Sequence, residues 1–250
     1  MNAFLQMLGR LAPAAGVLTL AAAPALAADS PLITALKNAT YAGIEADPIT
    51  LNNGRYEGEA FAPGGASRPT VALVDRLLAK GDLGGDGRDD VVVPLVKRAG
   101  GSFIYVAAMK LGAGTADNLA TLLLGDRVQI RDIEITDGSI ALAMVVPGKG
   151  DPIAVPSTKR RKTYRLRNGD LIETSSETLG TLSLADVAGP IWVLEKTISA
   201  AGQRRSAGNI TAHMKDHQIT GSAGCNRYFG SISDAGAGRI TIGPLATTRM

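Results

Sequence analysis

Three dipeptides, Asn53-Gly54, Asp137-Gly138 and Asn168-Gly169, constrain what this chain can become, because each sits between short β-prone runs. A two-residue hairpin turn needs positive φ at both central positions, which Asn, Asp and Gly tolerate, so each pair predicts a reversal between antiparallel strands. Asn53-Gly54 joins Ile49-Thr50-Leu51 to Arg55-Tyr56-Glu57. Asp137-Gly138 joins a run holding Val128, Ile130, Ile133 and Ile135 to Ile140 through Val146, the latter apolar enough to be a central strand. Asn168-Gly169 joins Thr163–Arg167 to Asp170–Glu173. Further strands are expected at Val91–Val96, Phe103–Met109 and Thr121–Leu124, where β-branched and large apolar residues cluster between glycines. The fold class is therefore mainly β. Thirty glycines and only 4% aromatic residues point the same way, since glycine weakens helix interiors and serves turns. Helix is expected only near Ser30–Asn38 and across Val71–Ala79. No period of about 20 to 50 residues recurs, which argues against a propeller or solenoid.

Targeting features bound the compartment. Arg10 precedes an apolar stretch at Val17–Ala23 and the small-residue tripeptide Ala25-Leu26-Ala27, the pattern of a cleavable signal peptide over residues 1–27. Pro13, Gly16 and Pro24 interrupt the stretch, leaving it short of the roughly 20 apolar residues a spanning helix needs. The expected product is periplasmic or secreted, with no membrane span after cleavage. Losing Arg10 from a chain of formal net charge +3 leaves it nearly neutral, so no concentrated basic face argues for nucleic acid. The polar segment Thr174–Thr178 lacks apolar periodicity and reads as a linker. It separates an antiparallel β domain over residues 28–178 from a second unit over residues 184–250.

The second unit resembles the META domain, the family that includes the bacterial heat-shock protein HslJ. Three blocks carry the resemblance: Gly189-Pro190-Ile191-Trp192-Val193-Leu194, then Ile219 through Gly230, then Ile242 through Met250. In that family the pattern continues with a second cysteine, a helix and more strands, so the resemblance covers about the first half of a domain, truncated at Met250. It implies unpaired backbone after Gly221, poor order, and a lone Cys225 separated from a possible partner. It also implies a role in stress tolerance, antibiotic tolerance or virulence, without an assigned enzyme activity. The run Gly221-Ser222-Ala223-Gly224 lacks the Gly-x-Ser-x-Gly spacing of a nucleophile elbow. It reads as a tight backbone turn, with Asn226 and Arg227 bonding to neighbouring main chain. Cys225 as a nucleophile would need an activating base. His213 and His217, four apart, would suit zinc on a helix face, but their flanks read as two strands around a Lys215-Asp216 turn with no third ligand in view.

The most chemically pointed stretch is Gly81-Asp82-Leu83-Gly84-Gly85-Asp86-Gly87-Arg88-Asp89-Asp90. Calcium takes about six to eight oxygens, which carboxylates at alternating loop positions around a sharp glycine turn can supply. The candidate ligands are Asp82, Asp86, Asp90 and the Arg88 carbonyl, and the loop resembles a single FG-GAP-type or dockerin-like acidic loop. Gly84 stands where another ligand is usual, and Val93 stands where an EF-hand has Glu. The competing reading is a turn whose aspartates face water or accept backbone amides. Lys159-Arg160-Arg161-Lys162, with Arg165 and Arg167, forms the other charged feature. On a strand, Arg161, Thr163, Arg165 and Arg167 share one face, with Tyr164 on the other. Such a stripe serves either an acidic partner or a solvated strand face.

The functional expectation is an exported, non-enzymatic accessory or binding module in envelope stress, META/HslJ-like at its carboxy-terminal end, with an unknown protein or cell-envelope component as partner. The alternative is an inhibitor or binding partner of a cell-wall enzyme. A hydrolase using Asp86, Asp89 or Asp90 is disfavoured, because carboxylates packed in a short glycine loop suit an ion better than a positioned acid and base.

Overall fold

The computed structural model describes residues 30–152, 154–198, 204–206 and 209–248. The expected signal segment lies outside the described residues. A short helix opens the described residues, α1 (Pro31–Lys37), with Ser30 at its N-cap and Pro31 in its first turn, where the missing N–H costs nothing. Twenty strands follow among the described residues: β1 (Thr40–Tyr41), β2 (Ile49–Thr50), β3 (Arg55–Glu57), β4 (Thr70–Leu73), β5 (Ala79–Gly81), β6 (Asp90–Arg98) and β7 (Ser102–Leu111). Next come β8 (Ala116–Asp126), β9 (Gln129–Thr136), β10 (Ser139–Val146), β11 (Thr158–Arg167) and β12 (Asp170–Thr181). A single 3-10 turn at Leu184–Asp186 leads to β13 (Ile191–Val193), β14 (Lys196–Ile198), β15 (Arg204–Ser206), β16 (Ile210–Lys215), β17 (Gln218–Ala223), β18 (Arg227–Gly236), β19 (Arg239–Ile242) and β20 (Ala246–Thr247).

Among the described residues three larger antiparallel sheets organise most of these strands, and β1-β2 and β14-β15 form two-stranded pairs. The first runs β3-β4-β6-β7-β8 with β5 also beside β6, the second runs β12-β11-β10-β9, and the third runs β13-β16-β17-β18-β19 with β20 beside β18. Alternation along β6 and β7 sends side chains to two cores. Val91, Val93, Leu95, Tyr105, Ala107 and Met109 pack under α1 and the β1–β2 hairpin with Leu36, Tyr41, Ile49 and Leu51. Val92, Ile104, Val106 and Ala108 pack against the second sheet through Ile133, Ile140, Leu142 and Met144. A strand buried on both faces reads as a continuous apolar run, which is why Val91–Val96 carries no polar alternation. Pro94 is tolerated inside β6 because its carbonyl accepts from Val74 N (2.9 Å) on the side where β4 has ended and β5 has not begun. Its missing N–H faces that same gap. At the corner between β5 and β9, a Cβ on Gly81 would fall 2.6 Å from Ile135 Cγ2, so the two sheets close there only over glycine.

The three turn dipeptides adopt the expected backbone, with φ of 48° and 79° at Asn53-Gly54, 51° and 67° at Asp137-Gly138, and 52° and 84° at Asn168-Gly169. Strands form over Val91–Val96, Phe103–Met109 and Thr121–Leu124 as expected. Four expectations are corrected. Val71–Ala79 is not helical: it is split between β4 and β5 by a turn, because both ends pair with β6. The arms of Asn53-Gly54 do not form a hairpin ladder; β2 pairs with β1 and β3 with β4, leaving one bridge between Asn52 and Arg55. Thr174–Thr178 is not a linker but the interior of β12, whose polar side chains suit an exposed edge strand. Strands after Gly221 keep their partners, because β18 pairs with β17, β19 and β20.

Candidate functional site

The acidic loop is stitched by its own aspartates. Asp82 accepts backbone N–H groups from Gly85 (2.6 Å), Asp86 (3.2 Å) and Gly87 (2.8 Å). Asp86 accepts from Arg88 N (3.0 Å) and pairs with the Lys110 ammonium at 3.1 Å. Those two hydrogen bonds, Lys110 first, hold its carboxyl below the usual range. Asp90, buried at the start of β6, accepts from Leu83 N (3.1 Å). The oxygens are thus directed at main-chain amides, and Lys110 places a fixed cation beside Asp86. Among the described residues no group of three or more His, Cys, Asp or Glu side chains is placed to hold a metal ion. Of the four sequence-predicted residues, Asp82, Asp86 and Arg88 lie in one loop closed by hydrogen bonds, and Asp90 begins β6 and anchors that loop through Leu83 N.

The basic segment divides by face along β11. On the outer face Arg161 pairs with Glu134 (2.7 Å), and Arg165 donates to Ser139 Oγ (2.9 Å) and Asp137 O (3.3 Å). The inner face is more unusual. Tyr164, Lys162 and Arg160 stand opposite the buried Ile140, Leu142 and Met144. Burial, with Glu173 nearby, pushes the Tyr164 phenol up to about 12. Lys162 is matched by Glu173 at 2.7 Å. Arg160 Nε is buried without a hydrogen-bond partner.

In the third sheet His213 lies on β16 with its Nε2 3.0 Å from Gly189 O, while His217 occupies the turn beside Asp216. The reversal sits at Asp216-His217, one residue later than expected. Gly221 is a strand residue whose missing side chain makes room for Tyr228: a Cβ there would meet the Tyr228 hydroxyl at 2.6 Å, and that hydroxyl donates to Thr211 O (2.8 Å). The turn proper is at Gly224, with φ of 97°, next to an exposed, free Cys225. Asn226 and Arg227 engage neighbouring strands through their backbones, accepting from Ala223 N and Thr248 N. The Asn226 side-chain oxygen has no partner.

The sequence reading missed a cleft of about 460 Å³ where the second and third sheets meet. Leu179, Trp192 and Ile240 reach it, each more than 40% exposed. Two β-bulges open onto it. Pairing steps from Ala143↔Asp132 to Met144↔Ile130, leaving Arg131 extra, and from Lys159↔Gly180 to Arg160↔Thr178, leaving Leu179 extra. The uneven spacing Ile130, Ile133, Ile135 is the trace of the first bulge in the sequence, because a regular strand keeps a period of two.

The junction beside the cleft is tied by main chain and charge. Leu182 N donates to Ser157 O (2.7 Å) and Gly238 N to Leu182 O (3.1 Å). Leu184 N donates to Asp234 (2.7 Å), and Lys159 pairs with Asp186 at 2.8 Å. Among the described residues no helix is long and apolar enough to cross a membrane. No curated protein matches the chain. Residues 185–250 match the family model of the META domain, which makes the third sheet the META part of this chain.

Proposed function

We propose that this is an exported, non-enzymatic binding protein whose META part, HslJ-like in its role, acts in envelope stress or antibiotic tolerance. One observation carries the reading. Ile191, Val193 and Phe229 project from one face of the third sheet at 66%, 62% and 57% exposure, with Ile191 and Phe229 aligned through His213 and Thr220. Large apolar side chains left in water on a flat antiparallel face mark a recognition surface. The acidic loop serves as a rigid corner of the first sheet, and calcium is the ion it would take if one binds there. The test is survival under heat and antibiotic challenge after deletion of the gene, with complementation by the wild-type chain and by an Ile191→Ser, Phe229→Ser double variant. Reduced survival rescued only by the wild type supports the reading. An unchanged survival curve on deletion counts against it.

A further inference from the structure

The cleft between the second and third sheets has a chemistry of its own, distinct from the exposed META face. Its walls are apolar: Leu182 and Val187 at the junction, with Leu179, Trp192 and Ile240 around them. The Trp192 indole N–H is already committed to Val187 O (2.8 Å), so what the indole can offer an occupant is its apolar ring. A volume of about 460 Å³ lies within the range of small-molecule sites, which favour junctions between units and apolar walls with few polar groups.

Those few polar groups are biased in sign. Arg131, Lys159 and Arg160 border the cleft against a single carboxylate, Asp186, and that carboxylate is consumed by Lys159 at 2.8 Å. Among the described residues Arg131 has the neutral Gln129 amide oxygen as its side-chain partner (2.8 Å), and Arg160 Nε has none. Guanidinium groups bind carboxylates and related anions through a planar fork of donors. The bulges matter here, because they place Arg131 and Leu179, one cationic and one apolar, at the same opening. Two register breaks in the two outer ladders of one sheet, on either side of the regular β10–β11 ladder and both yielding a residue to the same cleft, describe a shaped opening.

We infer that the junction cleft binds a small amphiphile, an apolar chain or ring that packs against Leu179, Trp192 and Ile240 and ends in an acidic group held at Arg131. Trp192 is the sole tryptophan of the chain, so its fluorescence reports occupancy of this cleft directly. Decanoate, 1-decanol and decyltrimethylammonium share an apolar chain and differ in charge. Titrated into the purified chain, decanoate should change the emission saturably, with the cationic twin at least about tenfold weaker. Arg131→Gln should weaken decanoate roughly tenfold, the worth of one charge-assisted contact, and leave 1-decanol within about twofold. Leu179→Asp, at an exposed position on the edge strand β12, should abolish the response to both while leaving the urea unfolding midpoint near that of the wild type. Absence of a saturable response to decanoate, equal affinity for anion and cation, or full binding by Leu179→Asp would each overturn the inference.

Discussion

The first two sheets and the third are built with the same devices, alternating strands and turns at positive φ, yet they bury side chains to different degrees. In the first unit β6 is covered on both faces, by α1 and the β1–β2 hairpin on one side and by the second sheet on the other. In the META part the described buried core is only Leu184, Met214, Ile219 and Ile232, with Val187 and Tyr228 packed against it. Ile191, Val193 and Phe229 remain in water. The difference teaches where stability resides. Layering removes apolar surface twice per strand, whereas a single sheet removes it once and depends on its junction for the rest.

The sharpest way to break this comparison is to hollow the layered unit. Leu95→Ala, at a position with no exposure, should cost about 2–5 kcal/mol in urea unfolding, while Ile191→Ala should stay within about 0.5 kcal/mol. Similar costs at the two sites would dissolve the contrast. Next in size, Gly221→Ala drives a methyl into the Thr211 carbonyl and the Tyr228 hydroxyl and should destabilise the META sheet by about 1–3 kcal/mol. Amide exchange should then rise in β16–β18 and leave β6 and β7 protected; a uniform rise would mean that the two parts unfold as one unit.

Asp82→Ala removes the acceptor of three amides in the acidic loop and should lower stability by about 1–2 kcal/mol. Because those oxygens are already directed inward, melting of the wild type is expected to be equal with calcium and with chelator. A calcium-dependent rise that Asp86→Ala abolishes would instead assign the loop to the ion. The smallest effect belongs to the junction. Lys159 holds the Asp186 carboxyl below its ordinary value, helped by hydrogen bonds from Ser183. The folded pKa being the lower one, this contribution is complete above the ordinary carboxylate value and is lost as pH falls through the depressed one. Lys159→Met should therefore differ from wild type by under about 1 kcal/mol near neutrality, and the gap should close in acid. A gap that persists in acid would mean that Lys159 contributes through packing.

Much of this architecture was legible in the residues. The turn dipeptides, the helix near Ser30–Asn38, and the strands from Val91, Phe103 and Thr121 are local patterns, and the META blocks name the third sheet. Legibility failed where partners decide. Val71–Ala79 carries a helical-looking apolar spacing, but its two ends are drawn into pairing with β6. Thr174–Thr178 is too polar to declare itself, and it becomes a strand because β11 lies alongside. The loop aspartates carried an ion reading beside a favoured turn reading, and which amides they accept from is decided by the fold of the loop.

By itself the sequence determined where the chain reverses, since positive φ is a property of the residues at the turn. It also determined which stretches extend, since alternation and β-branching act over a few neighbours. Tertiary structure alone decided which faces meet, which leucine a bulge pushes out at Leu179, and that Arg160 stands opposite Met144. Those outcomes depend on the register between strands distant in sequence, and a shift of one residue there exchanges the inside of a sheet for its outside.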